Sequence, residues 1–285
     1  MHQPHPQFSV IIPSFNRPNL VLRAARSVLA QKAGSVELIV VDDGSAPALD
    51  ASALGNDGRI RLVRNETNLG ASAARNRGIA CARGDWITFL DDDDELLPDF
   101  TELTLRGLEA APGADFSWSS VRFIGEGLPG PISERRFRRP SYDADAVSQA
   151  LSVGTGFGLT VRASRLREIA GFRTDARFVE DTDLLLRLLQ LGCRPTVIEP
   201  VLVEIHDHSG ARMTSGANIA IRIAETEDLL TRYGTFFDRY PKAREQMERH
   251  VRMLRDDGVE HDLAYSIGPD TDFCEVGQRA VATSP

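Results

Sequence analysis

Four consecutive aspartates, Asp91 to Asp94, follow the apolar run Trp86 to Leu90. Carboxylates this close repel one another unless water or a cation screens them. At the end of a buried strand water is scarce, so a hard divalent cation is a natural partner. Mg2+ in particular takes one or two carboxylates together with substrate phosphates. The competing reading is an acidic first turn for a helix starting near Glu95. No glycine sits at the sixth loop position, which excludes an EF-hand. Asp42-Asp43, ahead of Gly44-Ser45, reads on its own as a turn. Asn68-Leu69-Gly70, with Arg75-Asn76-Arg77-Gly78 beyond it, offers amides and guanidinium groups suited to a diphosphate, or else a helix with a solvated basic face. Glu180-Asp181 opens a leucine-rich stretch, either as a cap or as a general base that takes the proton of an attacking hydroxyl. His206 and His208 flank Asp207, as structural histidines or with a metal ligand among them. Ser14, Ser45 and the cysteines Cys81, Cys193 and Cys274 show no nucleophile arrangement, and the cysteine spacing gives no zinc pattern or disulfide framework. Neither a P-loop nor a Rossmann dinucleotide string is present.

These residues need elements to hold them, and the first third of the chain alternates apolar runs with amphipathic stretches, as β-α-β units do. Strands are predicted at Phe8 to Ile12, Val36 to Val41, Arg59 to Val63 and Trp86 to Leu90. A helix opens at Pro18 with a Leu22, Ala25, Leu29 stripe, and a second covers Ala71 to Ala82. Strands spaced for crossovers imply a mostly parallel sheet wrapped by helices. The polar loops after strands one, two and four then gather at the carboxyl edge of the sheet, where ligands bind in open α/β folds. Further on, strands are predicted at Ser117 to Ile124, Leu159 to Arg162 and Val201 to Ile205. Gly125 to Pro140, which contains ERRFRR, reads as a mobile loop over the site. Helices are predicted at Glu180 to Leu191, with Leu184, Leu188 and Leu191 on its apolar face, and at Ile219 to Tyr233 and Pro241 to Leu254. Pro269 to Pro285 shows no periodicity and reads as disordered.

The chain has 285 residues, 42% hydrophobic and 26% charged, enough for one large or two modest cores. A net charge of -8 argues against nucleic acid or an anionic membrane as the main partner. No apolar run approaches the roughly 20 residues that span a bilayer, so no integral membrane segment is expected. A reduced cytoplasmic protein is the simplest reading, and any membrane contact would be peripheral, at the inner membrane.

Together the segments resemble the family 2 glycosyltransferases, which have the GT-A fold. The strings are VIIPSFNRP (10–18), VVDDGS (40–45), NLGASAARNRGIACARGDWITFLDDDDELLP (68–98) and GFRTDARFVEDTDLLLRLLQLG (171–192), in the family's order. The resemblance implies an α/β GT-A domain over 8–215, with a nucleotide-binding part at about 8–98 and an acceptor part at about 99–215. A flexible tail at 1–7 precedes it and a helical C-terminal extension and tail at 216–285 follows.

By the same resemblance, Pro13, Ser14, Phe15, Asn16, Arg17, Asp42, Asp43 and Asn68 form the nucleotide edge, and Arg75 lies near the base and diphosphate. Asp91 and Asp93 match the Asp-x-Asp signature. Asp93 is the direct metal ligand, Asp91 lies nearer the ribose, and Asp92 is an extra carboxylate on the nucleotide side. His208, with His206 as the competing choice, completes a metal site for Mn2+ or Mg2+. Asp181 is the general base and Glu180 its partner. The implied reaction is metal-assisted, inverting transfer of a sugar from a nucleotide-diphosphate donor, UDP by family habit, to a hydroxyl of a glycan, lipid-linked or small-molecule acceptor. The alternatives are a nucleotidyltransferase and a non-catalytic nucleotide-sugar-binding protein of the same fold.

Overall fold

The structure is a computed structural model, and it describes residues 5–33, 35–125, 131–140, 143–207, 218–257 and 274–275. Strand β1 (Phe8–Ser14) is apolar on both faces because it lies at the centre of the sheet, between β2 (Val36–Asp42) and β4 (Trp86–Phe89), parallel to each. Strand β3 (Ile60–Arg64) adds parallel to β2. Glu37 is tolerated inside β2 because its carboxylate accepts from Ser9 Oγ (2.6 Å), Arg83 N (2.6 Å) and Arg83 Nε (2.8 Å).

Helix α1 (Pro18–Leu29) joins β1 to β2 and α2 (Ala71–Cys81) joins β3 to β4. In the order β3-β2-β1-β4 these crossovers run in opposite directions, so the topological switch point lies between β1 and β4. Pairing of Ser14 with Asp42 and of Ile11 with Phe89 brings the loops after all three strands to one edge. Close packing on β1 requires Gly78 in α2, since a Cβ there would lie 2.5 Å from Ile11 Cγ2. The buried stripe of α1 is Val21, Ala24, Ala25 and Val28, so the expected Leu22 and Leu29 lie at its margin and only Ala25 is central.

Past β4 the chain does not enter a helix at Glu95, as an acidic first turn would need. Glu95–Leu96 is a short strand, β5, and helix α3 begins only at Phe100 (Phe100–Glu109). The second half of the sheet is built on β6 (Phe116–Gly125) and β7 (Pro131–Arg136), followed by α4 (Asp143–Ala150), β8 (Thr160–Arg162) and α5 (Ala163–Glu168). Helix α6 (Glu180–Gln190) then precedes β9 (Pro195–Asp207). Strand β8 is antiparallel to both β4 and β6, β9 is parallel to β6, and β5 is antiparallel to β9.

Strand β7 corrects the reading of Gly125 to Pro140 as a loop. Arg135 is buried with its guanidinium over the rings of Phe123 (5.7 Å) and Phe157 (5.1 Å), and Phe137 packs on Trp118 and Phe157. The arginine run alternates in and out as a strand does, and the inward arginine is satisfied by aromatic faces. Residues 126–130 lie outside the described residues.

Helices α7 (Ile219–Arg232), α8 (Gly234–Arg239) and α9 (Pro241–Asp257) close the molecule. Their Leu229, Tyr233, Phe236, Phe237 and Met247 belong to the same buried apolar cluster as the sheet. Leu191 falls just past the end of α6 and is exposed, contrary to its expected place in the core. Within the expected N-terminal tail, Gln7 N donates to Ser35 O at 2.8 Å; residues 1–4 lie outside the described residues. Of the stretch 269–285, Cys274–Glu275 is described, as a strand β10 antiparallel to β7. No helix among the described residues is long and apolar enough to cross a membrane.

Candidate active site

The loop after β1 is held by the loop after β2. Asn16, in a left-handed conformation (φ 56°), donates its N–H to Ser45 Oγ at 2.9 Å and accepts from Ala46 N at 2.8 Å. Asp42 accepts from Ser45 N (2.9 Å), Leu49 N (3.0 Å) and the Arg64 guanidinium. Burial alone would raise its pKa, but these donors outweigh burial and hold it below the usual range. Asp43 accepts from Asn65 Nδ2 (2.7 Å) and Gly70 N (2.8 Å), fixing the turn that carries Asn68 into α2. Gly44 has φ 80°, and a Cβ there would lie 2.5 Å from the Thr67 carbonyl carbon, so a bulkier residue would part the two loops. Pro13 sits within the sheet opposite Val41, whereas Phe15 is 40% exposed at the edge.

The four aspartates divide by direction. Asp92 and Asp94 are buried, while Asp91 and Asp93 remain partly exposed. Asp92 accepts from Ser14 Oγ (2.7 Å) and Arg17 (3.1 Å), and the same arginine reaches Asp93 at 2.9 Å. Burial pushes the Asp92 carboxyl up to about 6 despite these donors. Asp94 accepts from His206 N at 3.0 Å and is pushed well above the usual carboxylate range by burial and by Asp91 and Asp93. The inward pair therefore ties the loop to β1 and β9, and the outward pair stays partly exposed, with Asp91 Oδ1 held by Arg75 and Asp93 Oδ2 by Arg17. A Cβ at Gly156 would sit 3.3 Å from Asp94 Oδ2 and 3.6 Å from Asp91 Oδ2, so the glycine keeps room beside them. A hard, oxygen-seeking cation fits this donor set.

Arg75 is not at the surface. Its buried guanidinium donates to Asp91 Oδ1 (2.8 Å) and Glu180 Oε1 (3.2 Å) and lies 5.5 Å from the Phe172 ring centroid. Arg75 and Glu180, 105 residues apart in sequence, thus meet directly. Glu180 is pushed up to about 7 by burial and by Asp181, with Arg75 pulling the other way. Beside it, Asp181 Oδ1 accepts from Thr182 N (2.8 Å), and its Oδ2 lies 2.6 Å from where a Gly154 Cβ would stand. The Gly154-Thr155-Gly156 turn thus lines both carboxylate groups through its two bare glycines.

His206 Nε2 is 3.1 Å from Glu95 Oε1, and Glu204 joins them in a cluster close enough to share an ion. Neither glutamate was singled out in the sequence. His208 lies outside the described residues.

An α/β sheet with a carboxylate loop at its switch point and the acidic start of a helix across the crevice is the arrangement of the GT-A fold. The chain belongs to glycosyltransferase family 2: the family described as "Glycosyl transferase family 2" matches residues 9–169. It is 30% identical over 217 residues to the putative colanic acid biosynthesis glycosyl transferase WcaA of Escherichia coli, covering 74% of this chain and 76% of that one. It is 31% identical over 243 residues to the succinoglycan biosynthesis protein ExoO of Rhizobium meliloti, covering 80% and 69%. A Haemophilus influenzae relative described as an uncharacterized glycosyltransferase is 31% identical over 187 residues, covering 64% of this chain and 62% of that one. In fold the chain is similar to S. aureus TarS 1-349 solved with UDP-GlcNAc, with TM-score 0.65 and 17% identity, covering 88% of this chain and 73% of TarS.

Proposed function

We propose that this chain transfers a sugar from a UDP-sugar to a hydroxyl of a polysaccharide or its lipid-linked precursor, with inversion. The observation that carries the reading is the double grip of Arg75. One buried guanidinium joins Asp91 on the β4 loop to Glu180 beside Asp181, so an anion-and-cation end and a base share one crevice. The UDP-GlcNAc held by the TarS fold supports the donor class, and the polysaccharide assignments of ExoO and WcaA support the acceptor class.

In this reading Phe15, 40% exposed, offers its ring to the base, while Asn16, Asp42, Asp43 and Asn68 shape the nucleoside edge. Pro13 and Ser14 anchor that edge to the sheet. Arg17, at 2.9 Å from Asp93, is placed to meet the diphosphate as well. Asp93 would hold Mn2+ or Mg2+, with His208 or His206 completing the set and Asp91 nearer the ribose; when bound, the ion neutralises charge gathering on the leaving diphosphate. Asp92 braces this loop through Ser14 rather than entering the crevice. Arg75 acts as a strut between the two halves. Asp181 takes the proton of the acceptor hydroxyl as its oxygen bonds to the anomeric carbon and the bond from that carbon to the diphosphate breaks. Attack opposite the leaving group inverts the centre in one displacement. Glu180 orients Asp181 or the acceptor.

The test is a thermal-shift panel of UDP, GDP, dTDP, CMP and ATP, with and without Mn2+, followed by UDP release from a set of UDP-sugars. Ligand at about 100 times its Kd adds about 2.7 kcal/mol, visible as a raised midpoint. A Mn2+-dependent shift with UDP that is lost in Asp93→Ala is expected. No shift with any nucleotide in a folded sample would overturn the site.

A further inference from the structure

The first turn of α6, which carries Glu180 and Asp181, has no side-chain cap of its own; its N-cap residue is Val179. Val179 leaves the first-turn N–H groups to other partners, one of them Asp181 Oδ1, which accepts from Thr182 N at 2.8 Å. The neighbouring helix α7 instead holds the chain on both sides of the carboxylate pair. Just before it, the Glu225 carboxylate accepts the backbone N–H of Arg177 (3.0 Å) and of Phe178 (2.9 Å). Just after it, the fully buried Asp183 accepts from Tyr233 OH (2.7 Å), the residue that ends α7. Asp183 also accepts from Arg187 Nε (2.7 Å) and Arg173 (3.3 Å), so its charge is balanced without the tyrosine. The Tyr233 ring is buried, and a phenylalanine would fill the same space. The hydroxyl therefore contributes direction rather than volume or charge.

We propose that α7 is a clamp for the base, with Glu225 and Tyr233 as positioning residues that fix Asp181 against the Gly154 turn. The proposal rests on the reading of Asp181 as the base. A base works only within a few tenths of an ångström of its proton, and a small misplacement costs rate without costing donor affinity. The clamp lies in the C-terminal helices, beyond residues 9–169 that match the family. It therefore gives those helices a task in the reaction.

The experiment compares Tyr233→Phe and Glu225→Ala with the parent, each alone and in an Asp181→Asn background. Hydrogen exchange is expected to quicken about tenfold in peptides over 176–186 and to stay unchanged over 36–45 and 86–94. With the UDP-sugar from the panel that the protein hydrolyses fastest, kcat is expected to fall about tenfold and KM to hold. In the Asp181→Asn background that loss should vanish, because a clamp acts only through the group it positions. Unchanged exchange over 176–186, or a rate loss that persists undiminished without Asp181, overturns the clamp. Failure of the underlying reading shows separately, as parental turnover in Asp181→Asn alone. If no UDP-sugar is turned over, the exchange measurement still decides whether α7 orders this turn.

Discussion

Asp181 and Glu180 are neighbours with different surroundings, and the difference is testable. Asp181→Asn keeps the shape and removes the proton acceptor. It should lower turnover by about 10²- to 10⁴-fold while the UDP-induced thermal shift stays as in the parent; full turnover would remove Asp181 from the mechanism. Glu180, with its pKa at about 7 through burial and Asp181, retains a proton in the folded chain that the unfolded chain has released. A raised carboxyl pKa makes stability fall as pH rises, here from the ordinary value of 4.5 through about 7. Glu180→Gln imitates the protonated form. Urea unfolding between those pH values should therefore show a flatter profile than the parent, and an unchanged slope would contradict the assignment.

At the scale of elements, the turn Gly154 to Gly156 controls the room around both carboxylate groups. Gly154→Ala puts a methyl 2.6 Å from the present position of Asp181 Oδ2, so the carboxylate must swing away. UDP release should slow at least tenfold with nucleotide binding preserved, in line with the cost of misplacing a reacting group. Gly192→Ala serves as the comparison, since its φ of 81° is strained for alanine but nothing lies within 4 Å. It should lose about 1–2 kcal/mol of stability and no activity. Equal activity in the two variants would show that the turn does not set the position of the base.

On the scale of the whole molecule, α7 to α9 share one apolar cluster with the sheet, and the fully buried Phe237 lies within it. Truncating such a side chain typically costs about 3–5 kcal/mol. Phe237→Ala should shift the unfolding of the entire chain, seen by tryptophan fluorescence from Trp86 and Trp118 in the sheet as well as by circular dichroism. Two separated transitions would mean that the helices fold as a unit of their own. A single transition is what a continuous core requires.

Much of this architecture was legible because apolar runs of four to seven residues announce strands wherever they lie, and Pro18 and the alanine-rich stretch after Gly70 announce helices. The succession of strands along the chain and the edge where Ser14, Asp42 and Asp91 gather followed from such local signals, and the family from the four motif strings. Strand β7 was hidden because ERRFRR is charged, and the rings of Phe123 and Phe157 help to make a place for Arg135. Nor could four identical aspartates reveal which pair turns inward; Ser14 and the backbone of His206 choose Asp92 and Asp94. The same holds for Arg75 between Asp91 and Glu180, and for Tyr233 on Asp183. Local sequence determined which elements form and which residue types stand at their ends. Tertiary structure alone decided which side chains meet, because hydrogen bonds and charge pairs join residues by distance in space, and nothing in a short stretch of chain records a partner a hundred residues away.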